Sequence, residues 1–340
     1  MQAYELTGVG FDTLIRTQRP RRSPAAHEVE IRVAASSINY RDYALVHGLY
    51  QRDLPKPFIP LSDGAGTVVS VGENVRRFKP GERVLGHYTT GWLDGPFSSD
   101  NHASKLGGPL DGWLADSIIL PEQALLKVPK HLSLVEASTL PVSGLTAWAA
   151  LGDIERLSGR RVLIEGTGSV SLMALQLAAA AGAETFVLSG KAQYHDRLRE
   201  LGATRVFDYR QLDDVPATLL AATQGKGIDL AVEVVGGNHL LSTLSLMADG
   251  GTVAVVGFLE GFEVNGDLIG PLLRRLLTLR GVSVGSRAQF EDFLDFLTRH
   301  RIHPLVGTHY DFDSAPLAIE EAEGRAGLGK PVIVHDELTP

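Results

Sequence analysis

The chain has 340 residues, enough for about two domains, and its 44% hydrophobic and 21% charged residues exclude a disordered or low-complexity protein. Thirty-two Lys and Arg against 40 Asp and Glu leave a formal charge of −8, which argues against nucleic acid or an anionic lipid surface as partner. The cysteine count is zero, so disulfides, thiolate zinc sites, iron–sulfur clusters and cysteine nucleophiles are all excluded.

The chain opens with MQAYELTGVGF, with Glu5 where an export signal wants a basic start and Arg16, Arg19, Arg21 and Arg22 after the apolar part. Its most apolar stretch, Leu172 to Gly182, is about half the ~20 residues that cross a bilayer and contains Gln176. A cytoplasmic protein with no membrane partner is expected.

Up to about residue 120 the chain reads as short strands cut by turns, among them His27–Ala35 and the β-branched Gly66–Val71. Trp92 to Trp113 is crowded with Gly, Pro, Ser, Asn and Asp and predicts a long surface excursion. From about Arg160 the texture becomes strand, glycine turn, helix, repeated: RVLIEG, a helix through Leu172–Ala181, ETFVLSG, and a helix ending at Leu201–Gly202. RVFDY, a helix to Gln224, DLAVEVVGG, a helix Leu240–Met247, GTVAVVG and TLRGVSVG follow. Six strands with intervening helices predict an α/β fold with a doubly wound parallel sheet, and the apolar runs Leu230–Val235 and Val253–Val256 suit strands buried on both faces. After Gly285 come an amphipathic helix, Gln289–Arg299, with Phe290, Phe293, Leu294, Phe296 and Leu297 mainly on one face, and a last strand, Pro331–Val334. This tail does not extend the repeat. The expected domains are 1–122 with 286–340, and 123–285 inserted between them. No solenoid period is present.

Between the first strand and helix of the repeat stands Gly166-Thr167-Gly168-Ser169-Val170-Ser171. In such a turn the first glycine permits the bend, the second lets backbone N–H groups approach a pyrophosphate, and the third position needs only a small side chain, here serine. Ser169 and Val170 open a helix whose N-terminus favours a phosphate. A plain strand-to-helix loop is the alternative. The second strand ends at Ser189-Gly190-Lys191, where a coenzyme lacking a 2′-phosphate would need an acid, and none is there. Ser189 and Lys191 suit a 2′-phosphate instead, with Tyr209 and Arg210 after the third strand closing over the adenosine side, so NADPH is expected over NADH; Lys191 and Arg210 as solvated surface cations are the bland reading.

Several motifs in order, Ser37-Ile38-Asn39-Tyr40-Arg41-Asp42, Ile59-Pro60-Leu61-Ser62-Asp63-Gly64-Ala65-Gly66, Lys79-Pro80-Gly81-Glu82-Arg83-Val84, Gly144-Leu145-Thr146-Ala147, the glycine turn and Gly329-Lys330, resemble the medium-chain dehydrogenase/reductase superfamily. The similarity is to its zinc-free branch of quinone oxidoreductases and alcohol-dehydrogenase-like reductases. It implies a GroES-like β-rich catalytic domain, split in sequence, and a Rossmann domain, with the nicotinamide in the cleft between them. The positions matching the catalytic zinc ligands are Asn39, Ser62 and Val142, and the lobe matching the structural zinc site, Trp92–Trp113, has no cysteine. No metal, and no zinc in particular, is expected. His300 and His303 lie near a helix end and read as surface residues.

The resemblance places Asn39 against the nicotinamide or a substrate oxygen, and Arg41 where zinc enzymes carry a relay hydroxyl. It adds Thr146 near the nicotinamide amide, Val235, Gly236, Gly257 and Phe258 at strand ends, and Lys330 near the phosphates. Phe258 also begins an apolar run, with Leu259 and Phe262, that suits a hydrophobic pocket or a subunit contact. Family members commonly pair the last Rossmann strand, here Thr278–Val284, across a homodimer.

Hydride transfer to a quinone or an α,β-unsaturated carbonyl leaves a phenolate or enolate oxygen, which needs hydrogen-bond donors and no metal. A simple aldehyde or ketone needs a proton delivered as the more basic alkoxide forms. The polar candidates are Asn39, Tyr40, Arg41, Asp42, Tyr43, His47 and Tyr50. Asn39 is read as an orienting donor, and Arg41 as paired to Asp42, either electrostatically useful or merely fastening a loop. The zinc-free reductases often carry a tyrosine where this chain has Ala44; Tyr43 and Tyr50 are substitutes and the proton donor is unassigned. His87 and Tyr88 suit an opposite wall or an ordinary loop. The leading expectation is an NADPH-dependent, zinc-independent reductase of a small quinone or enone. Alternatives are a carbonyl reductase acting on simple alcohols or aldehydes, and a non-catalytic NADPH-binding redox sensor.

Overall fold

The structure is a computed structural model that describes residues 1–50, 54–324 and 327–335. The chain forms two compact units, Met1–Leu145 with Ser286–Pro340, and Thr146–Gly285.

In the first unit the strand Glu28–Ser37 is central. It pairs antiparallel with Asp63–Val71 along its length, with Ser117–Pro121 at its start and with Lys330–Val334 at its end. Asp63–Val71 continues antiparallel to Arg83–Gly86 and that strand to Leu125–Lys127, while Val306–Asp311 lies parallel to Lys330–Val334. The tail therefore does return to the first unit. Alternation buries Val29, Ile31 and Val33 against Val68, Val84, Ile118, Leu120 and Trp113, the period-2 pattern of a half-covered sheet. Trp113 fits only because two facing positions lack a Cβ: one at Gly64 or at Gly86 would sit 2.3 Å from its indole. The helix Arg287–His300 starts at Ser286, whose hydroxyl accepts from the Gln289 N–H, and buries Phe290, Phe293, Leu294, Phe296 and Leu297 as its periodicity predicts.

Two expectations are corrected. Residues 123–145 belong to the first unit, because Leu125–Lys127 is a strand of its sheet and the helix Leu134–Ser138 packs on Glu28–Ser37 and Asp63–Val71. The excursion from Trp92 is a surface segment mainly in its first half; Lys105, Leu106 and Trp113 are buried on either side of an exposed tip at Leu110 and Asp111, so its second half returns into the core.

The second unit is a six-stranded sheet of β1 (Arg161–Glu165), β2 (Glu184–Leu188), β3 (Arg205–Phe207), β4 (Ile228–Glu233), β5 (Met247–Val255) and β6 (Thr278–Gly281), in the order 3-2-1-4-5-6. Every pairing is parallel. The expected six strands and the doubly wound order are both present, and ligands of such sheets bind at the carboxyl ends of the strands. Among the described residues no helix is long and apolar enough to cross a membrane.

Candidate functional site

In the second unit, β1 runs through Gly166 and Thr167 to Gly168, which caps the helix Ser169–Ala180. Gly166 has φ of +75°, a left-handed conformation that favours glycine, whereas Gly168 has φ of −73°. A Cβ at either glycine would meet no atom within 4 Å, so the turn is an open cradle. The first-turn N–H groups of this helix, including those of Ser169 and Val170, have no intrahelical acceptor and suit a phosphate. Ser171, in the third fingerprint position, is buried and donates its hydroxyl to the Glu165 carbonyl at 2.7 Å, holding helix to strand.

At the end of β2, Ser189 Oγ accepts the Lys191 N–H at 3.2 Å, and the Ser189 carbonyl lies 3.1 Å from His195 Nε2. A Cβ on Gly190 would lie 2.7 Å from Arg210 Nε and 2.8 Å from Tyr209 Cζ. Tyr209 and Arg210, just beyond β3, thus fold over Gly190 and join Ser189 and Lys191 at one strand edge. Two cations and an aromatic ring stand there, with the Ser189 hydroxyl buried against the Lys191 N–H.

The ends of β4 and β5 are fixed by one acid. Glu233 Oε1 accepts the N–H groups of Val235 at 2.9 Å and Gly236 at 2.8 Å, and the Glu233 carbonyl accepts the Gly257 N–H at 3.3 Å. A Cβ on Gly257 would lie 1.9 Å from the Val234 carbonyl, so only glycine allows this approach. Phe258 stacks on Phe262 with centroids 4.6 Å apart, and Thr146 is buried in the helix Leu145–Leu151.

Glu233 also belongs to a cluster that sequence reasoning missed. Glu165, Glu233 and His239 bring one polar atom each within 4.8 Å of one another. Glu165 Oε1 accepts from Thr243 Oγ1 at 2.8 Å and lies 3.2 Å from His239 Nε2, while Oε2 of both glutamates is buried without a partner. Burial, and then the charge of Glu165, pushes the Glu233 carboxyl up to about 7; the hydrogen bond to Glu165 chiefly raises His239. Nothing in the spacing of the three residues signals this cluster, since each comes from a different element.

In the first unit, Asn39 precedes the helix Tyr40–Val46 and its N–H donates to Asp42 Oδ2 at 2.8 Å. Asn39 Nδ2 donates to Ser62 Oγ, and Ser62 Oγ and Arg41 Nη1 donate to Asp42 Oδ1, each at 3.3 Å. Arg41 also donates to the carbonyls of Leu106, Gly107 and Gly108, so the expected Arg41–Asp42 pair is present and fastens that loop. Burial is the largest influence on Asp42 and raises its pKa against the opposing Arg41. The Tyr88 ring centroid lies 5.0 Å from Arg41 Cζ and that of Tyr50 lies 6.0 Å away. Tyr43 is buried with its ring 4.3 Å from His47.

Lys330 differs from its expected place near the cofactor phosphates. It is fully buried in the first unit, with Nζ 2.5 Å from Asp63 Oδ2 and 3.3 Å from the Thr139 carbonyl. A buried ammonium needs such a counter-charge, and this one has it. Asp63 Oδ2 also accepts the Val142 N–H at 3.3 Å and Ser37 Oγ at 3.4 Å. Of the positions that the resemblance matches to zinc ligands, Asn39 and Ser62 lie in the network around Asp42, and Val142 gives its N–H to the separate network around Asp63. They present an amide, a hydroxyl and an aliphatic side chain, a donor set that does not fit zinc. His87 is buried, 3.2 Å from the Trp92 carbonyl, and desolvation pulls its pKa down to about 4, leaving it neutral. His303 is half-exposed and pairs with Glu136, while His300 stacks on Phe296, so the two do not converge. Lys105, buried beside Tyr88, carries no sequence signal.

Comparison with known proteins places these features in a family. Residues 25–130 match the alcohol dehydrogenase GroES-like domain and residues 169–299 the zinc-binding dehydrogenase domain. A zinc-type alcohol dehydrogenase-like protein of Schizosaccharomyces pombe is 37% identical over 315 residues, 91% of each chain. Quinone oxidoreductase of Mus musculus is 26% identical over 92% of this chain and 90% of its own. Among solved structures, one from Sinorhizobium meliloti 1021 provisionally described as an alcohol dehydrogenase has a TM-score of 0.91 at 38% identity, covering 98% of both chains. A Pseudomonas syringae quinone oxidoreductase has a TM-score of 0.80 at 26% identity, covering 98% of this chain and 99% of its own.

Proposed function

The chain belongs to the medium-chain dehydrogenase/reductase superfamily, and from that premise we propose that it is an NADPH-dependent, zinc-independent reductase of quinones or α,β-unsaturated carbonyls. The observation that carries this reading is the polar network at the zinc-ligand positions, where Asn39 and Ser62 offer hydrogen bonds and no metal-binding donor. When bound, the reduced nicotinamide would supply the hydride. Residues Gly166 to Val170 would hold its pyrophosphate, and Ser189, Lys191, Tyr209 and Arg210 its 2′-phosphate. Val235, Gly236, Gly257 and Phe258 form the strand-end floor that Glu233 fixes. Asn39, held by Ser62 and by the Asp42 contact to its backbone, would orient the acceptor oxygen and stabilise the charge that develops there.

The acceptor class follows from that donor set. An enolate or hydroquinone anion is stabilised by hydrogen bonds alone, whereas a simple alkoxide is not. We place the enzyme in the cytoplasm and propose that it acts as a homodimer. Leu273 and Leu276 are 71% and 78% exposed beside the edge strand β6, a surface that association would cover. The test is NADPH oxidation with a quinone, an enone and a simple aldehyde, each repeated with NADH. Turnover of the first two with preference for NADPH is expected. Turnover of the aldehyde alone would favour the carbonyl-reductase alternative, and nucleotide binding without turnover the sensor alternative.

A further inference from the structure

Three cations are largely buried in the first unit, and their charges are handled differently. Arg41 is neutralised by Asp42 and by three backbone carbonyls, and Lys330 by Asp63. Lys105 is only 2% exposed, yet its Nζ has no hydrogen-bond or ion-pair partner among the described residues. Its Nζ lies 5.8 Å from the centroid of the Tyr88 ring, which Arg41 also approaches. An ammonium on so buried a side chain, given no acceptor by its surroundings, suits a place where an anion is to be met.

The position continues the polar network. Asn39 leads through Ser62 and Asp42 to Arg41, and Arg41 and Lys105 share the Tyr88 ring. We propose that Lys105 is the proton donor of the reduction, delivering an Nζ proton to the acceptor oxygen that becomes anionic when hydride reaches the substrate carbon. This rests on the reductase reading above. In that step the hydride brings two electrons to the β-carbon, the carbon–carbon π pair shifts to join the α-carbon to the carbonyl carbon, the carbonyl π pair moves to oxygen, the Nζ–H bond breaks and an O–H bond forms. An enone gives an enol that ketonises in solvent, a quinone gives the keto tautomer of the hydroquinone, which loses its ring C–H proton to solvent as the second oxygen gains one, and solvent reprotonates the amine before the next turnover.

Other groups here are less suited. Burial raises the Tyr88 phenol far beyond its ordinary value, His87 is neutral with a pKa of about 4, and a guanidinium does not release its proton. Burial first, and then Arg41, pulls Lys105 down to about 8, close to the pH at which an acid must work. Among the described residues, the one other charged group that interacts with it is His102, whose pKa Lys105 itself lowers.

The test uses Lys105→Met, Lys105→Gln and Lys105→Arg with a quinone and an enone across pH 6 to 9.5, together with NADPH titration of each variant. Loss of a general acid lowers kcat by about 10²–10⁴-fold, and we expect that loss in the Met and Gln variants with NADPH affinity unchanged. The wild-type fall in kcat above about pH 8 should vanish in both, and Lys105→Arg, which keeps the charge and withholds the proton, should stay slow. Retention of kcat in Lys105→Met and Lys105→Gln, persistence of the basic limb, or full rescue by arginine would overturn the assignment while leaving the reductase reading intact. A wild-type protein that binds NADPH and reduces neither acceptor would overturn both.

Discussion

Glu233 joins a loop to a strand and carries a proton near neutrality. Its Oε1 takes two backbone N–H groups, while its buried Oε2 faces the charge of Glu165. The folded pKa of about 7 stands above the ordinary 4.5, so the native state holds a proton that the unfolded state has released between those values. Stability supplied by this group is complete below about pH 4.5 and is lost as pH rises towards 7. Glu233→Gln keeps the acceptor for Val235 and Gly236 and removes the titration. Melting curves at pH 5 and pH 7.5 should show the variant gaining on the wild type at the higher pH; parallel behaviour would refute the proton assignment. The cluster was not legible in the sequence because it joins residues from β1, β4 and a helix. Lys105 escaped for a related reason: it sits in a Gly- and Ser-rich stretch whose composition suggests solvent, and only the return of the chain to Trp113 buries it.

The glycine turn is the element whose function is most directly read. Strand, turn and helix follow in the predicted order, and Ser171 fills the third position by bonding to Glu165. Gly168 offers a clean probe, since its φ of −73° suits any residue and an added Cβ would touch nothing in the protein. Gly168→Ala should therefore fold with an unchanged melting temperature, yet bind NADPH about tenfold more weakly, because the methyl occupies space the pyrophosphate needs. Calorimetric titration checks this, and unchanged affinity would remove the turn from the binding site. Elements with strong periodicity were legible in the same way: the Arg287–His300 helix buries the five residues its pattern selects. The boundary at residue 122 was not, because Leu125–Lys127 is three residues long and its partner Arg83–Gly86 is distant in sequence. Nor could spacing tell a phosphate-binding Lys330 from one paired to Asp63.

For the whole molecule, the matched family's description and the proposed zinc-independent chemistry differ. One matched family is described as zinc-binding and a relative as zinc-type, whereas this chain has no cysteine and, by the resemblance, Asn39, Ser62 and Val142 where such enzymes hold zinc. The fold was legible because it depends on patterns spread over the chain: six apolar strands, punctuating glycines and a tail that closes the first sheet. The proposed chemistry depends on a handful of side chains whose surroundings no sequence pattern gives. Zinc-independent hydride transfer is tested most directly by assaying NADPH oxidation with a quinone before and after exhaustive chelation, with the metal content of the same sample measured. Full activity in metal-free protein is the predicted result. Activity that disappears with the metal and returns with stoichiometric zinc would contradict it.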